Sequence, residues 1–110
     1  MRILVFGLPG SGKTTFARQL SAGHAYFNAD EVRKMFNDWD FSMEGRTRQA
    51  QRMACLSSLV DGHAVIDFVC PFDEDRHEYD VKIWMNTIKK GRFDDTNKMF
   101  EKPSSCTFEN

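Results

Sequence analysis

Residues 7–15 read Gly-Leu-Pro-Gly-Ser-Gly-Lys-Thr-Thr and follow directly on the apolar run Ile3-Leu4-Val5-Phe6. Gly7 and Gly12 stand five apart with Lys13 and Thr14 immediately after, the spacing G-x-x-x-x-G-K-[ST]. The apolar run suits a buried parallel strand, and Phe16, Ala17 and Leu20 recur at helical spacing beyond the glycines. Strand, glycine loop and helix must therefore follow one another without a break. Glycines let backbone N–H groups close around an anion with no Cβ in the way. The positive N-terminus of the next helix points at the same anion. Gly7, Pro9, Gly10, Ser11, Gly12, Lys13, Thr14 and Thr15 are thus expected to cradle the phosphates of ATP. Lys13 would reach the β- and γ-phosphates, and Thr14 would place its hydroxyl on Mg2+.

The rest of the chain reads as one α/β domain over residues 1–110. Strands are expected at 3–6, 24–27 and 64–68, and helices at 13–21, from Asp30 to about Asn37, and from Glu44 to Val60. Ala50, Met53, Ala54, Leu56, Leu59 and Val60 approximate one apolar face of the long helix. Residues 37–43 read as a loop and 71–78 as a charged loop or short helix start. Tyr79, Val81, Ile83 and Met85 alternate with Asp80, Lys82, Trp84 and Asn86, which predicts a half-exposed strand at the sheet edge. A second copy of the chain would cover such an edge as a homodimer. Beyond Gly91 the chain is polar without a sustained period, read as a lid segment over 87–103 and a tail. Strands alternating with helices imply parallel crossovers and a three-layer α/β/α sandwich around a mostly parallel sheet. Ligands then bind at the carboxyl ends of the strands, where the segments 7–15, 28–30 and 69–76 converge.

Composition narrows the class of partner. A net charge of −1 leaves no basic excess for nonspecific nucleic-acid binding. Cys55, Cys70 and Cys106 have no neighbours at metal-ligand spacing, which argues against zinc and for a reducing compartment. The first strand starts at once, leaving no room for a signal peptide, and no stretch approaches a membrane span. The expected location is cytoplasmic, with no membrane partner.

Later segments resemble adenylylsulfate kinases. Phe27-Asn28-Ala29-Asp30-Glu31-Val32-Arg33 is similar to that family's D-G-D-x-[VI]-R segment. The run 40–53 is similar to its G-F-S-x-x-x-R-x-x-N-x-x-R segment, in register at Phe41, Ser42, Arg46 and Arg52. Residues 67–76 resemble its F-[IV]-S-P…R segment. Lys89-Lys90-Gly91-Arg92-Phe93 and Phe100-Glu101-Lys102-Pro103 resemble its basic lid and Y-E-x-P ending. The chain departs from the family at Asn28, Glu31, Gln49 and Gln51, and it is shorter by roughly a helix before the lid.

The resemblance implies a nucleotide-kinase-like P-loop fold and an ATP- and Mg2+-dependent phosphotransferase. Its acceptor would be a small anionic molecule, adenylylsulfate-like or another nucleotide. Lys13, Asp30 and Arg46 carry the expected catalysis. Asp30 would take the acceptor's hydroxyl proton or hold a Mg2+-bound water, unless it is only a helix cap. Asp67 would be a Mg2+ ligand through water, or else a satisfied buried carboxylate. Arg33 and Arg46 would clamp an anion, or lie on a solvated face. Phe41 and Phe72 would stack on a base, or anchor loops. Phe68, Val69 and Cys70 would line the acceptor site. Lys89, Lys90 and Arg92 would close over the transferring phosphoryl group, or form a solvated charge run. The histidines carry no assigned role, and Trp39 and Trp84 read as packing. A nucleic-acid hydroxyl is the alternative acceptor. A nucleotide-binding module with weak catalysis is the alternative outside the enzyme class.

Overall fold

The alternation of short apolar runs with amphipathic segments builds one five-stranded sheet in the computed structural model, which describes residues 1–110. The strands are β1 (Arg2–Phe6), β2 (Ala25–Asn28), β3 (Ala64–Asp67), β4 (Val81–Trp84) and β5 (Phe108–Glu109). Their order across the sheet is β2-β3-β1-β4-β5, and every pairing is parallel. The helices are α1 (Lys13–Leu20), α2 (Ala29–Phe36), α3 (Met43–Ser58) and α4 (Asp94–Met99). Residues 73–76 form a single 3-10 turn.

Both faces of the central strands are covered, as the crossovers demand. Leu4, Phe6, Ala64 and Ile66 pack with Val32 of α2 and Ala50 and Met53 of α3 on one face. Val5, Val65 and Ile83 pack with Ala17 of α1 on the other. All four residues of β3 are buried, which accounts for its uninterrupted apolar run up to Asp67. That strand's last residue, a carboxylate, is delivered beside the glycine loop: Val5 and Asn28 are its register partners on either side.

Several expectations need correction. Asp30 is not the cap of α2; Asn28 is, its side chain accepting from Glu31 N at 3.1 Å. Helix α3 ends at Ser58, so Leu59 lies beyond it and is 76% exposed rather than part of the core face. Strand β4 is not the sheet edge, because β5 pairs with it. Asn110 N donates to Trp84 O, and Asn86 N to Asn110 O, so the chain's own terminus occupies the edge that a second copy was expected to cover. The polar alternation in β4 misled because Trp84 packs on the α3 face while Ile83 packs on the α1 face.

The segment after Gly91 is structured by one buried arginine. Arg76 donates to Cys70 O, Pro71 O and Glu101 O at 2.7–3.0 Å. Its guanidinium lies 4.5 Å from the Phe6 ring centroid and 4.8 Å from that of Phe100. A residue 1% exposed thus welds the chain around 100–101 to the core. No helix is long and apolar enough to cross a membrane.

Candidate active site

The glycine loop is shaped by close approach. A Cβ at Gly7 would meet Met85 O at 2.7 Å, and Gly12 enters α1 in the left-handed region at φ 91°. Because Gly12 is the N-cap and offers no side chain, the first-turn amides of α1 keep no side-chain partner and stay free for an anion. Lys13 Nζ donates to Leu8 O at 3.3 Å, folded back over the loop. Burial pushes the Lys13 pKa below the ordinary lysine value; Asp67 and Asp30 oppose that shift, and Arg92 adds to it.

Asp67 Oδ2 is the hub of this wall. It accepts from Thr14 Oγ1 at 2.8 Å, Tyr26 OH at 2.7 Å and Asn28 Nδ2 at 3.0 Å. Asn28 is thereby used twice, its oxygen capping α2 and its nitrogen holding Asp67. Tyr26 and Asn28 share one side of β2, two residues apart, which is why both reach the same carboxylate. Burial raises the Tyr26 pKa, so the phenol stays a donor. The Thr14 hydroxyl, Asp67 and Asp30 form a hard-oxygen donor set, which suits Mg2+. No group of three or more His, Cys, Asp or Glu side chains gathers at metal-binding distance.

A cleft of about 690 Å3 runs from this wall to the start of α3 and across to α4. It is lined by Pro9, Gly10, Lys13 and Thr14 on one side, and by Asp30, Arg33, Phe41 and Arg46 on the other. Asp67, Phe68, Val69 and Arg92, also expected, line it too. Gly7, Ser11, Gly12 and Thr15 shape the loop without lining the cleft. Cys70 is absent from it: the side chain is fully buried at φ 45°, and burial pushes its thiol pKa far up. Phe72 and Lys90 also lie outside, Lys90 being exposed. Lys89 borders a separate groove with Leu8, Trp84 and Ile88.

The arginines are buried rather than solvated. Arg33 and Arg46 are 5% and 4% exposed. Arg33 Nη1 donates to Asp38 O and Asp40 O. Arg46 Nε donates to Phe41 O at 2.8 Å, and its Nη2 reaches Asp95 Oδ2 at 3.2 Å and Thr96 Oγ1 at 3.1 Å. Both guanidinium groups lie over the Phe41 ring, at 4.4 Å and 5.4 Å from its centroid. Behind them, Asp38 accepts from Arg48 and Arg52, which hold its carboxyl well below the usual range. Ser42 caps α3 by accepting from Gly45 N, and a Cβ at Gly45 would run into the Asp40 backbone oxygen. This tight entry brings Arg46, one turn into α3, to the cleft.

The segment at 87–92 is tied to the glycine loop. Thr87 Oγ1 donates to Ser11 O at 2.7 Å. The Asn97 amide grips Gly91 at both N and O, and Gly91 lies close against Pro9. Arg92 and Phe93 face the cleft from that strap. Sequence reasoning missed Tyr26 and Trp39 at this site; it placed the segments holding Asn28, Phe93, Asp95 and Thr96 there but gave these four residues no role. Trp39, expected to pack, is 51% exposed and lines the cleft. Only the alternation of Tyr26 with Asn28 was a usable signal, and it acquires meaning once β2 is paired with β3.

The family model of adenylylsulphate kinase matches residues 1–93. Among solved structures, a shikimate kinase from Acinetobacter baumannii in complex with shikimate superposes with a TM-score of 0.59 at 17% identity. The superposition covers 90% of this chain and 71% of that one. The likeness is one of fold, a parallel sheet flanked by helices. No curated protein sequence matches the chain significantly.

Proposed function

The chain belongs to the adenylylsulphate kinase family, whose chemistry is ATP-dependent phosphoryl transfer to a small acceptor, and we propose that its acceptor is adenylylsulfate or a closely similar nucleotide. One observation carries the reading. A single cleft joins Lys13 and the Thr14–Asp67 pair to Asp30 and the buried pair Arg33 and Arg46. Donor and acceptor halves thus face one another across Asp30.

In this reading the free amides of α1 and Lys13 hold the β- and γ-phosphates. The acceptor hydroxyl attacks the γ-phosphorus, the bond from the γ-phosphorus to the β,γ-bridging oxygen breaks, and ADP leaves. Asp30, exposed in the first turn of α2, takes the hydroxyl proton. Charge that builds on the equatorial oxygens is met by Lys13 and Arg92. Thr14, oriented by Asp67, would hold Mg2+, which supplies further neutralisation of the phosphates when bound. Arg33 and Arg46 face the acceptor's anion, and Trp39, Phe41 and Phe93 offer flat apolar walls to its ring.

The test is transfer of labelled γ-phosphate from ATP to a panel of acceptors, with Lys13→Ala as control. The panel holds adenylylsulfate, nucleosides, nucleotides and 5′-hydroxyl oligonucleotides. Label on adenylylsulfate that is absent in the control supports the reading. Label on an oligonucleotide alone, or ATP binding without transfer to any acceptor, overturns it.

A further inference from the structure

Arg46 sits where an acceptor's anion is expected, yet an anion of the chain itself is already there. The Arg46 guanidinium is buried, and its Nη2 is shared by the Asp95 carboxylate and the Thr96 hydroxyl, both from the first turn of α4. Its Nε is taken by Phe41 O, Nη1 makes no hydrogen bond within the chain, and the residue lines the cleft. Asp95 is placed very differently. Its side chain is 63% exposed, and Arg46 is its one ion-pair partner. It borders the cleft beside Phe93 and Arg92. The buried cation cannot move far, whereas the exposed carboxylate can swing to solvent at small cost.

The charges around the acceptor half sharpen the point. Arg33 and Arg46 supply buried cations there, Arg92 a further one, and Asp30 and Asp95 supply two carboxylates. With Asp95 on Arg46, that buried cation already carries a counter-charge before any ligand enters. An acceptor bearing phosphate or sulfate must exchange its anion for Asp95. An uncharged acceptor gains nothing from that exchange.

We propose that Asp95 is a specificity-determining carboxylate that occupies the anion subsite on Arg46, so that an anionic acceptor binds only by displacing it. The proposal rests on the reading of Arg46 as part of the acceptor site. Its consequence is a charge threshold: acceptors with a strongly competing anion enter, and weakly charged ones that need Arg46 do not. The pair also links acceptor binding to α4, since the same helix holds Gly91 through Asn97 and hence the strap against the glycine loop.

The experiment is calorimetric titration of adenylylsulfate, and of adenosine as its uncharged counterpart, into the ADP-bound protein. Wild type, Asp95→Asn and Thr96→Val are compared. Asp95→Asn keeps a polar side chain facing Arg46 and removes only the charge. It is expected to tighten adenylylsulfate about fivefold and leave adenosine unchanged. Thr96→Val loosens the same contact without altering charge, and no such tightening is expected. Equal affinity of wild type and Asp95→Asn for adenylylsulfate would overturn the proposal. So would a gain for adenosine matching that for adenylylsulfate, a Thr96→Val variant that reproduces the effect, or no adenylylsulfate binding by either protein. Because the readout is binding, a failure of phosphoryl transfer would strike the proposed reaction and leave this comparison standing.

Discussion

The two walls of the cleft hold their charges by different means. On the phosphate-loop wall, the free amides and Lys13 come from the one run 7–15, and backbone geometry aims them. On the acceptor wall, each cation is held by groups outside its own helix, and those on Arg46 reach 50 positions along the chain. Arg33 depends on the loop carbonyls of Asp38 and Asp40, and Arg46 on Phe41, Asp95 and Thr96. The first wall is a local motif that works wherever a strand runs into a helix. The second exists only after α2, α3 and α4 have docked. Changes to the first wall should therefore strike chemistry at intact stability, and changes to the second should strike stability and acceptor affinity together.

The largest effect should come from Lys13→Ala. Its ammonium has no local replacement among the loop amides, so kcat/KM should fall about a thousandfold or more while the melting temperature holds. A variant that keeps turnover would break the contrast between the walls. The same residue gives a pH test. Burial lowers its pKa, so the positive form is lost as pH rises through that lowered value. ATP affinity should then weaken at a pH below that expected for an ordinary lysine. A flat titration up to the ordinary lysine range would show that bound phosphate fully restores the charge.

Asp30→Asn comes next. With the cap of α2 assigned to Asn28, loss of the Asp30 carboxylate should leave the helix intact. Turnover should fall about a hundredfold with ATP affinity spared, as a removed general base requires. Parallel loss of binding, turnover and stability would place Asp30 among the structural residues instead.

The same division explains what the sequence could reveal. The glycine loop, the strands expected at 3–6 and 64–68 and the parallel order were legible because each follows from a local pattern of apolar residues and glycines. Asp67 was legible as the polar end of an apolar strand. The binding of Asp67 by Tyr26 and Asn28 was not, since it depends on which strand lies beside β3. The edge position of β4 was misread because β5 is only two residues long and carries no periodic signal. Arg76 looks like an ordinary surface charge in the sequence, and Arg46 could be read there as an anion clamp or as a solvated charge. Their burial depends on distant partners as well as local ones: Glu101 O lies 25 positions from Arg76, and Thr96 lies 50 positions from Arg46.

Arg76 tests the assembled wall without touching the cleft. Its three backbone partners and two aromatic rings make it the link between the core and the segment that leads from α4 to β5. Burial lowers its pKa, yet Cys70 O and Glu101 O would lose their donor if it were removed, while Pro71 O would keep only Glu101 N. Arg76→Ala should cost about 3 kcal/mol in denaturant unfolding, and hydrogen exchange in residues 94–110 should rise. A loss confined to stability, with ATP affinity unchanged in the folded fraction, sharpens the comparison. Equal loss of ATP binding would merge the two walls into one cooperative unit.

The smallest expected effect bears on the one residue that belongs to both walls. Asn28 stands where the resembling family has the first Asp of D-G-D, and here its amide nitrogen donates to Asp67 while its oxygen caps α2. Asn28→Asp preserves the cap, since Asp serves as well at that position. It replaces a donor by a carboxylate about 3.0 Å from Asp67 Oδ2. The two like charges should destabilise the metal-free protein by about 1–2 kcal/mol at neutral pH. A carboxyl facing another carboxylate has its pKa raised on folding, so the penalty should shrink as pH falls toward the ordinary carboxylate range. Added Mg2+ should relieve it at neutral pH by supplying the missing positive charge. Thermal melts at two pH values, with and without Mg2+, read all three effects. A variant whose penalty ignores both pH and Mg2+ would mean that Asn28 matters for the shape of β2 alone, and that charge balance at Asp67 is set by Tyr26 and Thr14.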